Sequence, residues 1–152
     1  MKISVLQKKP TLVLEPYPHF VIENALPQDI YDSLEREWPK DQLLATEPFD
    51  SGICHRLKAD EMLKPGKVSS VWKEFTEYHT SASFYKEMEE AFGDLVPYIE
   101  NLENTLSPRG WDSGDDWIGT DCQTVMHKPI DFSSRTPHID NPREIYAALL
   151  YM

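Results

Sequence analysis

Three neighbouring stretches decide how the chain reads: Gln123-Thr124-Val125-Met126-His127-Lys128-Pro129, Arg135-Thr136-Pro137-His138-Ile139-Asp140-Asn141-Pro142, and Ile145-Tyr146-Ala147-Ala148-Leu149-Leu150-Tyr151-Met152. From Thr120 the pattern is β-like, and Cys122-Gln123-Thr124-Val125-Met126 predicts one strand. Pro129 and Ser133-Ser134 mark a loop, and the almost wholly apolar run 145–152 predicts a strand buried on both faces. Side chains two apart on a strand project the same way, so His138 and Asp140 share a face. An imidazole and a carboxylate so placed can hold one metal ion. With one further His they complete the facial triad that leaves positions open on Fe(II). The His-x-Asp spacing alone is common by chance in a chain with five histidines and 26 acids. Its flanks are what give it meaning. Pro137 before the pair, Asn141-Pro142 after it and the apolar run beyond place it at an edge of a hydrophobic sheet, where small-molecule sites form.

Working outward, the first two-thirds of the chain reads as helical. Thr11-Leu12-Val13-Leu14 and Phe20-Val21-Ile22-Glu23 are two short β-like runs, kept from regular pairing by Pro16-Tyr17-Pro18. Pro27 at a first helical position, acids in the first turn, and Ile30, Leu34 and Trp38 at helical spacing predict a helix that Pro39 stops. Residues 40–68 are mixed and read as loop. Val71, Phe75 and Tyr78 predict a second, shorter helix, and Phe84, Met88, Ala91 and Phe92 a third from about Ser83. Gly93 and Pro97 interrupt it, and Tyr98, Leu102 and Leu106 extend a further helical pattern to Ser107-Pro108. Such apolar stripes are core faces. Asp112-Ser113-Gly114-Asp115-Asp116 lacks the alternating ligands and distal Glu of a calcium loop and reads as a solvated turn.

Composition bounds the function classes. The chain's 152 residues suit one domain, 1–152, with helical support over roughly 1–110 and a β core from about 118 to 152. A 40% apolar content with four Trp, seven Tyr and six Phe specifies a folded protein. The net charge of −11 repels phosphates and argues against nucleic acid as a partner. No stretch has the roughly 20 apolar residues of a membrane span. Cys54 and Cys122 have neither CxxC nor zinc-type spacing, and read as reduced thiols of a soluble, cytoplasmic protein.

The three opening stretches resemble the first part of the double-stranded β-helix (jelly roll, cupin-like) of Fe(II)/2-oxoglutarate-dependent oxygenases. In that family the His-x-Asp pair precedes an apolar strand often ending as Leu150-Tyr151-Met152 does here. Pro16-Tyr17-Pro18-His19-Phe20-Val21-Ile22-Glu23-Asn24-Ala25-Leu26-Pro27 is similar to the opening of prolyl-hydroxylase-like members, where a short strand leads into a helix bracing the barrel. The resemblance implies an α+β fold, with N-terminal helices supporting the first strands of the β-helix. It also implies His138 and Asp140 as iron ligands, 2-oxoglutarate as cosubstrate, and hydroxylation of a peptide side chain or small metabolite. The family's distal His and its 2-oxoglutarate-binding Arg or Lys come from a second half of the β-helix that has no counterpart here. A fragment of a longer oxygenase, or a chain completed by a partner, is therefore the expectation.

Other residues divide between site and scaffold. Gln123 and Tyr146, on strands flanking the loop, are positioned to reach the cosubstrate by hydrogen bonds. Arg135, with Lys128 and Arg143, offers the positive spot that a dianion needs on an acidic protein. His127 is the nearest alternative third ligand, though it reads more readily as a strand histidine. His19 reads as a packing residue, and His55 and His79 have no supporting context. A non-enzymatic reading competes: the free edge of the truncated sheet pairs with a second copy to form a homodimer. A cupin-like metalloprotein of other chemistry would carry more His and Gly around the site than this chain does.

Overall fold

The computed structural model describes residues 3–48, 54–107, 118–127 and 144–152. Helix α1 (Gln28–Arg36) starts one residue after Pro27, whose extended backbone makes it the cap, and carries Asp29 in its first turn and Arg36 in its last. Ile30 and Leu34 form its buried stripe. The helix stops before Trp38, which packs half-buried beside them. Pro39 does more than end it. Pro39 caps a second short helix, α2 (Lys40–Leu44), which buries Leu43.

The loop expected over residues 40–68 is therefore structured, because short elements carry too few residues to show a period. After α2 come strand β1 (Cys54–Leu57) and a single helical turn, α3 (Ala59–Met62). The Ala59 N–H, which has no partner within so short a helix, donates to Asp121 Oδ1 at 2.9 Å across 62 residues of sequence. Helix α4 (Ser70–His79) has ten residues against nine in α1, and buries Trp72, Phe75, Thr76 and His79. Val71 and Tyr78, two of the positions that marked it in the sequence, lie at the half-buried margin. Helix α5 (Ala82–Phe92) opens with Ser81 accepting from the Phe84 N–H and buries Phe84, Tyr85 and Met88. Gly93, at φ 59°, ends it in a 3₁₀ turn (Gly93–Leu95).

The helix expected from Tyr98 to Ser107 is reduced to one turn, α6 (Leu102–Thr105), followed by strand β2 (Leu106–Ser107). Tyr98 is 84% exposed, so the spacing of Tyr98, Leu102 and Leu106 was not the stripe of one helix. The two N-terminal β-like runs form no ladder with each other; one antiparallel bridge joins Val13 of the first to His19, just before the second, across a segment containing the cis Glu15–Pro16 bond.

Two small sheets are present among the described residues, and no closed barrel. Strand β2 pairs in parallel with β3 (Ile118–Gly119). Strand β4 (Thr124–His127) pairs antiparallel with β1, placing Cys54 opposite His127 and Leu57 opposite Thr124. The expected strand at Cys122 to Met126 is thus real but shifted toward His127. The expected strand over 145–152 is absent: Leu149 and Tyr151 are more than 80% exposed, and only Ile145 and Tyr146 pack inward. Apolar composition signals a need for burial, but it cannot create a neighbouring strand to pair with. The fold of the described residues is α+β.

Two clusters of apolar side chains hold the elements together. The larger joins Ile3, Leu26, Ile30, Leu34, Leu43, Leu57, Met62, Trp72 and Phe75. At its centre the Trp72 indole donates to the Leu34 carbonyl at 2.9 Å and lies edge-on to Trp38, ring centres 5.3 Å apart. The smaller cluster joins Tyr85, Val96 and Leu102, with Phe92, Ile99, Leu106, Ile145 and Tyr146 against them.

Leu34 is fully buried, so Leu34→Ala should lower the unfolding free energy by about 3 kcal/mol, as cavity-forming substitutions do. Trp72→Phe, which keeps an aromatic ring and loses the indole donor, should cost about 1–2 kcal/mol. Urea denaturation checks both; a cost below about 0.5 kcal/mol for Leu34→Ala would remove the α1–α4 contact from the centre of the fold.

Candidate functional site

His138, Asp140 and Arg135 lie outside the described residues, as do Lys128, Arg143, the Pro129 and Ser133-Ser134 loop and the acidic turn at Asp112 to Asp116. What the structure places are the segments on either side. Strand β4 delivers the chain to its last residue, His127, from a ladder whose other strand is β1. After residues 128–143, Ile145 and Tyr146 anchor the chain again by packing on the smaller core.

Gln123 and Tyr146 converge on one tripeptide, Asp121-Cys122-Gln123. The Gln123 amide donates to Asp121 Oδ2 at 2.6 Å, while the other oxygen of that carboxylate caps α3 through Ala59. Burial raises the Asp121 pKa, against the Ala59 and Gln123 hydrogen bonds that favour the charged form. Tyr146 lies against Tyr85, ring centres 6.2 Å apart, with Cys122 close enough to act on it electrostatically. Burial pushes the Tyr146 phenol up to about 12, helped by Tyr85 and Cys122. The Cys122 thiol is likewise pushed up to about 12, by burial and then by the Asp121 charge. Both groups are protonated at neutral pH in any setting, and burial extends that range to higher pH.

Each of the four other histidines has a ring nitrogen engaged. His127 Nδ1 lies 3.1 Å from Cys54 Sγ, a contact across the β1–β4 ladder that joins positions 73 residues apart. Buried His55 directs Nδ1 to the Thr46 carbonyl at 3.1 Å. His19 Nδ1 contacts the Tyr17 carbonyl at 2.8 Å, a local contact on the exposed side of the molecule. His79, which carries no local motif, is buried among Phe75, Tyr78 and Phe84 and uses both ring nitrogens. The Cys54–His127 pairing and the Asp121 cap had no local signal in the sequence, since register alone brings them together. Among the described residues, no three His, Cys, Asp or Glu side chains gather as a metal-binding group. No described helix is long and apolar enough to cross a membrane.

Comparison with family models, with curated proteins and with solved structures gave no match.

The desolvated thiol gives a direct test of this arrangement. At pH 8 Cys122 should resist alkylation by iodoacetamide in the folded protein and react readily in urea, read by mass spectrometry of the modified peptide. Equal labelling rates in both states would place the Cys122 sulfur in water.

Proposed function

We propose that this chain belongs to a non-haem Fe(II)/2-oxoglutarate-dependent oxygenase that hydroxylates a peptide side chain or a small metabolite. The observation that carries the reading is His138-Ile139-Asp140 with Pro137 before it, Asn141-Pro142 after it and the apolar run 145–152 beyond. Support comes from both flanks. Strand β4 ends at His127, upstream of the motif in sequence, and Tyr146 downstream of it packs against Tyr85. The N-terminal segment passes from Pro16-Tyr17-Pro18 into α1, which seats on α4 rather than standing free.

The residue roles follow from their chemistry. The His138 imidazole and Asp140 carboxylate would hold the metal, one neutral and one anionic donor leaving room for a chelating cosubstrate. Bound iron with 2-oxoglutarate and dioxygen supplies the oxidising power for C–H hydroxylation, chemistry no side chain has. Arg135, with Lys128 and Arg143 beside it, would offset the repulsion between a dianion and a chain of net charge −11. The Tyr146 phenol would donate a hydrogen bond without adding charge. Gln123, already bonded to Asp121, would orient by way of that carboxylate.

Anaerobic Fe(II) titration of the full-length protein tests the ligand assignment. His138→Ala and Asp140→Ala should each weaken iron binding by ~10-fold or more while leaving the far-ultraviolet circular dichroism unchanged. Unaltered iron affinity in both variants would remove the pair from the metal centre.

A second reading rests on a different observation. Leu149 and Tyr151 are exposed at 81% and 83%, and the β1–β4 ladder has only two strands among the described residues. An extended apolar run and an open ladder are the parts of a β-edge association module, pairing with a second copy. A strict monomer by analytical ultracentrifugation at micromolar concentration would dismiss it.

A further inference from the structure

The motif-based reading makes no use of His79, a buried imidazole with both ring nitrogens engaged. Its Nδ1–H donates to the Phe75 carbonyl at 2.7 Å, and its Nε2 accepts from the Val5 N–H at 3.2 Å. The ring is sandwiched by Phe75 and Phe84, with centre distances of 4.0 and 4.6 Å, and flanked by Tyr78. Only the neutral imidazole with its proton on Nδ1 satisfies both contacts.

The segment that His79 holds is short and has few other ties. Ile3 enters the larger core, the Ser4 hydroxyl donates to Glu87 Oε2, and the Leu6 N–H donates back to Ser4 Oγ at 3.0 Å. Glu87 also accepts from the Tyr78 hydroxyl at 2.9 Å. Residues 3–6 thus lie across α4 and α5 as a strap fastened at Val5, Ser4 and Ile3.

We propose that this strap is an acid-releasable latch, opened when His79 Nε2 takes a proton and changes from acceptor to donor. The Val5 N–H and the new Nε2–H would then be two donors facing one another. The strap must lift, and Ile3 leaves the larger core with it.

Every charged or titratable group facing the ring fits this. From α5 comes the Glu87 carboxylate, which favours the imidazolium; from α4 comes the Tyr78 phenol, which burial and Glu87 hold above its ordinary value and so neutral. The strap itself, Ile3-Ser4-Val5-Leu6, brings no charge. Burial outweighs the favourable contributions of the Phe75 carbonyl and Glu87, and lowers the His79 value from 6.5 to about 4. With the strap released, Nε2 no longer accepts from Val5 and His79 protonates more readily than in the closed state, reaching its ordinary value on full unfolding. Because the folded value is the lower, the latch is fully closed above pH 6.5, weakens below it, and opens as pH falls through about 4. The latch is independent of the oxygenase reading.

Amide hydrogen exchange, measured residue by residue by NMR from pH 7 down to about 3.5 and corrected for intrinsic rates, tests it. Val5 protection should fall by ~10-fold or more near pH 4, while the Cys54–Leu57 ladder amides stay protected. The imidazole signals of His79 should titrate with the same midpoint. His79→Gln keeps an acceptor that cannot take a proton, and should hold Val5 protection through pH 4. Loss of Val5 and ladder protection in step, or a His79 titration unaccompanied by any change at Val5, would overturn the latch. Both readings come from the wild-type protein, so they decide the matter even if the variant fails to fold.

Discussion

The Trp72 indole and the Leu34 carbonyl make the contact on which the remaining packing depends. At the end of α1, the Trp38 N–H donates to Glu35 rather than back to Leu34, so the Leu34 carbonyl would be an orphan inside the larger core. A buried carbonyl without a donor costs about 1–3 kcal/mol, and an indole is a donor on an otherwise apolar ring. One side chain therefore seals a helix end, fills the space between α1 and α4, and sets the depth at which the two helices meet. Thr76, one turn further along α4, sends its hydroxyl to the Trp72 carbonyl and touches Met62 Sδ, which Thr124 of β4 also touches. Through Met62, the helical support and the β1–β4 ladder share a core.

That ladder is the least local part of the molecule. Its two strands are far apart in sequence, and Cys54 with His127 closes it at one end. The cap of α3 by Asp121 is equally remote. Together they place segment 121–127 against the helices, and Tyr146 returns to the same segment beside Cys122.

Long amphipathic helices were legible because each turn repeats the signal: Ile30 and Leu34 in α1, and Phe84 and Met88 in α5, are buried as their spacing requires. Cys54–Leu57 was not legible, since three of its four residues are buried and a strand so short shows no alternation. Tyr98 misled because its aromatic ring is apolar by type yet sits in water. The run 145–152 misled for a related reason: composition gave the appetite for burial but not the partner. In the candidate site, His138 and Asp140 were singled out by spacing and flanks and lie outside the described residues, while the surroundings of Gln123 and Tyr146 carried no sequence signal. Their partners, Asp121, Cys122 and Tyr85, are set by packing rather than by motif.

The central claim is that a metal held by His138 and Asp140 recruits a 2-oxo dicarboxylate. Thermal unfolding of the full-length protein under anaerobic conditions, with and without Fe(II) and 2-oxoglutarate, tests it most directly. A ligand that binds only the metal-loaded native state raises the midpoint by mass action. 2-Oxoglutarate is predicted to raise it when Fe(II) is present, and to have no effect in the absence of metal or in Asp140→Ala. An equal shift with and without iron, or none with both ligands present, would contradict the claim.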